Sequence, residues 1–188
     1  MIEDLNFLGE GRFTRRDDFV ILIAERLRES PRTPWGSVSE YVNGLKLDET
    51  HKYSLFRKRT ASEILRSGFV TGCTDEALAF IILSRELGIP TIYVETLNEN
   101  WLKNPESNGV SGHVFVNIPF RGDWKVYDLK RGFTKDNDYT LGGERYIEIG
   151  KGLDFSEIHL KEKNGYESKP VSVQALKDLR KFKRVFWQ

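Results

Sequence analysis

The stretch Gly72-Cys73-Thr74-Asp75-Glu76-Ala77-Leu78-Ala79-Phe80-Ile81-Ile82-Leu83-Ser84-Arg85-Glu86-Leu87-Gly88-Ile89-Pro90 decides how the rest of the chain is read. Asp75 and Glu76 fall in the first turn of a helix opening at Cys73, where the helix dipole favours anions. Ala77–Leu83 is apolar on every face, which predicts a helix buried all round. Gly88 supplies a C-terminal stop and Pro90 prevents continuation. A central helix is therefore expected from Cys73 to Leu87. It carries the chain's one cysteine at its first position. A thiol there meets unpaired backbone N–H groups and the positive dipole end, both of which favour thiolate. Gly72 leaves room beside the sulfur. Free cysteines are also common as inert core residues, so position alone leaves Cys73 open between the two roles.

Downstream, Thr91–Leu97 reads as a strand, rich in β-branched and aromatic residues. Residues 98–112 form a polar loop that carries Trp101. Val114–Ile118 and Lys125–Leu129 read as two further strands, linked by Pro119-Phe120-Arg121-Gly122-Asp123 in a hairpin. If that hairpin is centred between Phe120 and Arg121, His113 lies opposite Asp128, Phe115 opposite Val126, and Asn117 opposite Trp124. Directly opposed side chains share a face, about 5 Å apart. A carboxylate on one imidazole nitrogen fixes the tautomer and leaves the other nitrogen to pair with a thiolate. A slip of one residue would separate the two groups.

Upstream, Thr14 with Asp17 reads as a capping box before Phe19, Val20, Ile23 and Leu27. Thr33-Pro34-Trp35 opens a second helix with Val38, Tyr41, Val42 and Leu45 inward. Residues 47–59 read as a loop holding Tyr53 and His51, and Thr60–Leu65 as a capped helix ending near Gly68. Beyond residue 143, Arg145–Ile149 and Leu153–Leu160 read as edge strands, with His159 on the surface. A charged linker, Lys161–Lys169, precedes a last helix from Ser172 with Val173, Leu176, Leu179 and Val185 inward. Helices precede strands, so the expected class is α+β, with the central helix packed on an antiparallel sheet.

The 188 residues predict a single domain, 1–188. One cysteine excludes an internal disulfide and cysteine-rich metal sites, and His51, His113 and His159 show no short metal-ligand spacing. No metal and no cofactor are expected. With 29 basic and 28 acidic residues the net charge is +1, which argues against a general polyanion binder. The basic, aromatic run of Lys177, Arg180, Lys181, Phe182, Lys183, Arg184, Phe186 and Trp187 reads as a solvated face. Nucleic-acid or anionic-lipid binding is its rival. The longest apolar runs, Phe19–Ala24 and Ala77–Leu83, are too short for a membrane span. Met1-Ile2-Glu3-Asp4-Leu5 has no signal-peptide character, so a cytoplasmic location is expected. Gly142-Gly143 is not followed by the lysine and helix of a phosphate loop.

Taken in order, Thr60–Leu65, Gly72–Phe80, Leu87-Gly88-Ile89-Pro90, Gly112-His113-Val114-Phe115-Val116 and Trp124-Lys125-Val126-Tyr127-Asp128 resemble the transglutaminase-like superfamily. The resemblance covers about residues 60–130. It implies a papain-like α+β fold and a Cys–His–Asp triad of Cys73, His113 and Asp128. Phe115 matches the aromatic residue found shortly after the family's histidine. Leu129 departs from the proline or threonine that often follows its aspartate. The implied chemistry is cysteine-dependent acyl transfer or hydrolysis at an amide bond, through a thioester, without a cofactor and on a protein or peptide substrate. Protease, deamidase, amidase and transglutaminase types all fit. The Cys73 N–H is the first oxyanion donor expected, with Trp35 or Tyr53 as side-chain partner. Trp101 is a candidate cover for the site, and Asn117 a candidate for packing or substrate contact. The alternative is a non-catalytic protein- or peptide-binding module on the same fold.

Overall fold

The computed structural model describes residues 7–103, 111–135, 137–161 and 168–170, the strand path alone being described for 159–161 and 168–170. The first half is helical: α1 (Asp18–Arg28), α2 (Pro34–Asn43), the single turn α3 (Lys52–Leu55), α4 (Ala61–Ser67), α5 (Cys73–Glu86) and later α6 (Glu99–Lys103). Two-residue strands β1 (Lys46–Leu47) and β2 (Phe69–Val70) pair in parallel between the helices. The remaining strands are β3 (Ile92–Asn98), β4 (Gly112–Phe120), β5 (Asp123–Asp128), β6 (Gly132–Phe133), β7 (Thr140–Leu141), β8 (Glu144–Gly152), β9 (His159–Lys161) and β10 (Ser168–Pro170). Six of them form one antiparallel sheet in the order β6-β5-β4-β3-β8-β7. The fold is α+β. Among the described residues no helix is long and apolar enough to cross a membrane.

The apolar run of α5 explains its place. Every residue from Thr74 to Arg85 is buried, because α1, α2 and α4 pack on one side and β3 and β4 on the other. Leu78, Phe80, Ile81 and Leu83 lie in the main core with Val20, Val38, Ile64, Tyr93, Val114, Val116 and Ile118. The other face of the sheet carries a smaller cluster of Ile92, Val94, Phe115 and Val126, flanked by Phe7, Trp124, Tyr139, Leu141 and Tyr146. Alternating residues of each strand feed the two clusters, as the pleat requires.

Local chemistry sets the helix starts. Thr60 and Glu63 form the expected capping box on α4, and Gly68 closes that helix in the left-handed region at φ 70°. Pro34 sits in the first turn of α2, where its missing N–H loses nothing. The cap of α1 differs from the expected one. Asp17 is the N-cap, accepting from the Val20 N–H at 3.0 Å. Thr14 is fully buried and accepts instead from the Gly11 N–H, at 3.0 Å. The second Asp17 oxygen accepts from the Ser62 hydroxyl at 2.5 Å and from Arg66 at 3.0 Å, which joins α1 to α4. Burial pushes the Asp17 carboxyl up, but the Ser62, Val20 and Arg66 donors outweigh it and hold it at about 2. Asp17→Ala should lower stability by about 1–2 kcal/mol in denaturant titration. Because the folded pKa is depressed, that contribution is present above the usual carboxylate pKa and is lost as pH falls through about 2.

Two more expectations are corrected. The 98–112 stretch is not all loop, since Glu99–Lys103 forms α6 and buries Trp101 to 5% exposure. Beyond residue 143, one strand, Glu144–Gly152, replaces the first of two short ones and pairs along β3. Leu153–Leu160 is not a continuous strand. Asp154 caps a 3-10 turn at Phe155–Glu157, taking the Ser156 N–H at 2.8 Å and the Phe13 N–H at 2.6 Å. Those side-chain-to-backbone bonds compete with a strand ladder and win locally. Residues 47–59 hold the end of β1 and the single turn α3 and otherwise run as loop. The expected helix from Ser172, its basic face and most of the Lys161–Lys169 linker lie outside the described residues, as does the His159 side chain.

Candidate active site

The β4–β5 hairpin brings His113 and Asp128 together by a register that differs from the expected one. Its two loop residues are Arg121 and Gly122, with φ of 54° and 89°. Positive φ at both positions is what a tight two-residue hairpin turn demands, and glycine supplies one of them without strain. A turn centred on Phe120–Arg121 would have forced Phe120 into that region. The pairing therefore shifts by two: Asn117 faces Val126 rather than Trp124, and Val116 faces Tyr127. His113 and Asp128 become diagonal neighbours. A shift of two preserves the face where a shift of one would not. His113 Nε2 and Asp128 Oδ2 are 2.7 Å apart.

Both groups are held from behind. The other oxygen of Asp128 accepts from the N–H groups of Lys130 at 3.1 Å and Arg131 at 2.8 Å. The turn that supplies them is anchored by α2, whose Ser39 hydroxyl and Asn43 amide both donate to the Leu129 carbonyl, at 3.1 and 2.8 Å. On the neighbouring strand, the Thr96 hydroxyl donates to the His113 carbonyl at 2.8 Å. The Phe115 ring meets the His113 ring edge to face at 4.8 Å, and Tyr146 lies against it at 5.9 Å.

Cys73 reaches the same imidazole from the start of α5. Its sulfur lies close enough to the His113 ring to favour the charged imidazole. With Nε2 taken by Asp128, Nδ1 is the ring nitrogen left for a thiol partner. Burial pulls the His113 pKa down, but the hydrogen bonds and charges of Asp128 and Cys73 outweigh it and raise the pKa from 6.5 to about 9. Burial raises the Asp128 carboxyl, and His113 with the Arg131 and Lys130 N–H groups brings it below its ordinary value. At neutral pH the imidazolium is thus the favoured form, flanked by a carboxylate and a sulfur.

The turn before Cys73 is braced by residues whose roles sequence reading missed. Gly72 has φ 151°, a conformation few other residues adopt, and a Cβ built there meets nothing within 4 Å. The space beside Cys73 is therefore open. No side chain caps α5. Asp75 does not serve the dipole alone. Its carboxylate accepts from the Thr71 N–H at 2.9 Å, the Thr71 hydroxyl at 2.7 Å and Arg59 at 2.5 Å. Arg59 also bonds Ser67 and the Phe69 carbonyl, which ties α4 and β2 to the α5 start. Beside this lies a buried set in which Glu95 accepts from the Tyr93 hydroxyl at 2.8 Å and from Arg57 at 2.5 Å. Its sequence signal is a carboxylate at the centre of an otherwise uncharged strand.

The other candidate residues sit elsewhere. Trp35 packs edge to face on Phe120, 5.7 Å between ring centroids. That is the hairpin end of β4, about 23 Å along the strand from His113 at roughly 3.3 Å per residue. Tyr53 projects from α3 and is 90% exposed. Trp101 is a core residue of α6. Asn117 lies near Tyr139, two pairs along from His113, and its buried Oδ1 finds no hydrogen-bond partner among the described residues. His51 is on the surface, bonded to Asp48 at 2.8 Å.

No family model matches the chain, and no curated protein does. Its fold is shared with the crystal structure of a "putative cysteine protease" from Cytophaga hutchinsonii, at a TM-score of 0.61 and 17% sequence identity. The likeness covers 84% of this chain and 50% of that one. The chain thus spans about half the length of that protein.

Proposed function

We propose that the chain is a cysteine-dependent enzyme of the transglutaminase-like, papain-like type, acting at amide bonds through a thioester. The observation that carries this is the Asp128–His113 hydrogen bond of 2.7 Å, with Cys73 beside the same ring at the start of a buried, uncapped helix. The fold shared with the Cytophaga hutchinsonii protein supports it.

In this reading the Cys73 thiolate attacks the substrate carbonyl, and the C–N bond breaks as His113 delivers its proton to the departing amine. The neutral imidazole then takes a proton from water or an incoming amine, which attacks the thioester and releases Cys73 as thiolate. The Cys73 N–H donates to the oxyanion, since the first N–H groups of a helix lack internal partners. Neither Trp35 nor Tyr53 is retained as its partner, because of their positions. Asp128 orients the ring and favours its charged form.

Alkylation by iodoacetamide, followed by intact mass, tests the nucleophile. The expected result is single labelling that is fast near pH 6–7, where an ordinary thiol with a pKa of roughly 8.5 reacts slowly. His113→Ala should remove this low-pH reactivity while leaving reaction at high pH. A wild-type rate that rises only above pH 8, unchanged by His113→Ala, would sink the proposal.

A further inference from the structure

On the sheet face that bears His113, Glu144, Tyr146 and Glu148 alternate along β8 and so point the same way. Thr96 pairs with His113 on one side and with Glu148 on the other. Two strand spacings put Glu148 about 10 Å from His113 at the backbone. Tyr146 pairs with Asn98, one step along. Its ring is 5.9 Å from His113 and 5.9 Å from Phe115. Phe115 is fully buried and Tyr146 only partly, so Tyr146 is the ring on His113 that solvent reaches.

Both carboxylates are exposed and aimed by neutral donors. Glu144 accepts from the Asn98 amide at 2.9 Å and from the Tyr146 hydroxyl at 3.3 Å. Glu148 accepts from the Tyr139 hydroxyl at 2.7 Å. Among the described residues neither forms an ion pair with a lysine, arginine or histidine. Arg145, between them in sequence, alternates to the opposite face. Two oriented carboxylates without an internal cation, on either side of a tyrosine, form the chemistry that receives an organic cation through charge and the ring face.

We propose that the Glu144–Tyr146–Glu148 strip is a substrate subsite that selects a lysine or arginine side chain in a peptide bound across Cys73 and His113. The selected charge lies about 10 Å from the imidazole, two strand spacings away. It is therefore a recognition group and not the reacting amine. The inference rests on Cys73 as the nucleophile for its meaning in catalysis, but the binding itself can be measured without turnover.

Binding is read with Cys73→Ala protein and a capped, fluorescein-labelled peptide of alternating alanine and lysine, against the same peptide with glutamate. The lysine peptide should bind about tenfold tighter or more at low salt, and the preference should shrink with added salt. Glu144→Gln with Glu148→Gln should bring the two peptides to within a few-fold. Glu40→Gln on α2 should leave the preference as it was. Equal binding of both peptides, or a preference that survives the double variant, overturns the subsite. The Cys73 label separates the two ideas. A cationic aminoethyl thiosulfonate should modify wild-type protein faster than an anionic sulfonatoethyl one, the thiolate taking the sulfenyl group as methanesulfinate leaves. Lysine-selective binding beside an unreactive Cys73 would keep the subsite and overturn the proposed chemistry.

Discussion

Asp128→Asn is expected, in the proposed reaction, to lower kcat/KM on a peptide amide by about 10³–10⁴, the scale seen when a triad carboxylate becomes an amide. The geometry explains why so small a change matters. One Asp128 oxygen is occupied by the Lys130 and Arg131 N–H groups. An asparagine keeps its carbonyl oxygen there and must turn its NH2 toward His113 Nε2. The ring can then only accept at Nε2, which puts its proton on Nδ1, the nitrogen left for Cys73, in the neutral form. That tautomer cannot take a proton from the nucleophile. The variant also loses the charge that helps raise His113 to about 9, so the low-pH reactivity of Cys73 should fall with turnover.

The same substitution has a pH signature in stability. His113 has a raised folded pKa, so its contribution is complete below its ordinary value of 6.5 and is lost as pH rises through about 9. Asp128 has a lowered one, so its contribution is complete above 3.8 and is lost as pH falls. The stability gap between wild type and Asp128→Asn should therefore be widest between about pH 4 and 6.5 and close on both sides. A gap independent of pH, with turnover within about tenfold of wild type, would show that Asp128 is not coupled to His113 in this way.

Arg85→Met is expected to cost on the order of 4 kcal/mol in denaturant titration, the scale of removing a buried, hydrogen-bonded charge. Arg85 is 6% exposed and lies in the last turn of α5. It donates to the carbonyls of Thr91 at 2.6 Å, Leu153 at 2.9 Å and Gly9 at 3.2 Å, and to the Thr14 hydroxyl at 3.1 Å. It thus joins the N-terminal segment, the entry to β3 and the end of β8 to the central helix. Methionine fills similar volume but leaves those acceptors without their donor. Burial lowers the Arg85 pKa to about 10, against the pull of Asp154 and Glu157. It still carries its charge at neutral pH. A loss under about 1 kcal/mol would mean that water replaces the guanidinium at little penalty.

Arg85 was visible in the sequence only as a basic residue near a helix end, a place that the dipole favours. Its four acceptors come from three segments, two of them about 70 residues away in sequence, and nothing local names them. Asp75 is similar. Its position in the first turn of α5 was legible, but its engagement with Thr71 and Arg59 was not, since a long arginine finds its partner only after α4 and α5 pack. Asp17 shows a local rule misassigned: both Thr14 and Asp17 are good cap residues, and burial of Thr14 against Arg85 decides between them. Trp35 and Tyr53 are upstream donors by residue type, and Trp101 falls in the stretch before His113, but neither residue type nor place in the chain says at which end of the molecule each side chain lies.

Periodicity and punctuation determined much of this protein without the structure. The all-round apolar run before Gly88 and Pro90 required a buried central helix, and its first residue had to be Cys73. The order of helices before strands required an α+β arrangement, and period-2 alternation put His113 and Asp128 on one face for any register that differs from the expected one by an even number. Such features depend on neighbours within a turn or a strand, where backbone geometry is nearly fixed. Tertiary structure decided the register, through the positive-φ turn at Arg121–Gly122. It also decided that Cys73 meets His113, that Leu129 and the turn beyond it are held by α2, and that β8 lays Glu144, Tyr146 and Glu148 beside the imidazole. Those contacts join segments tens of residues apart, and which segments meet is set by how all the apolar faces are buried at once.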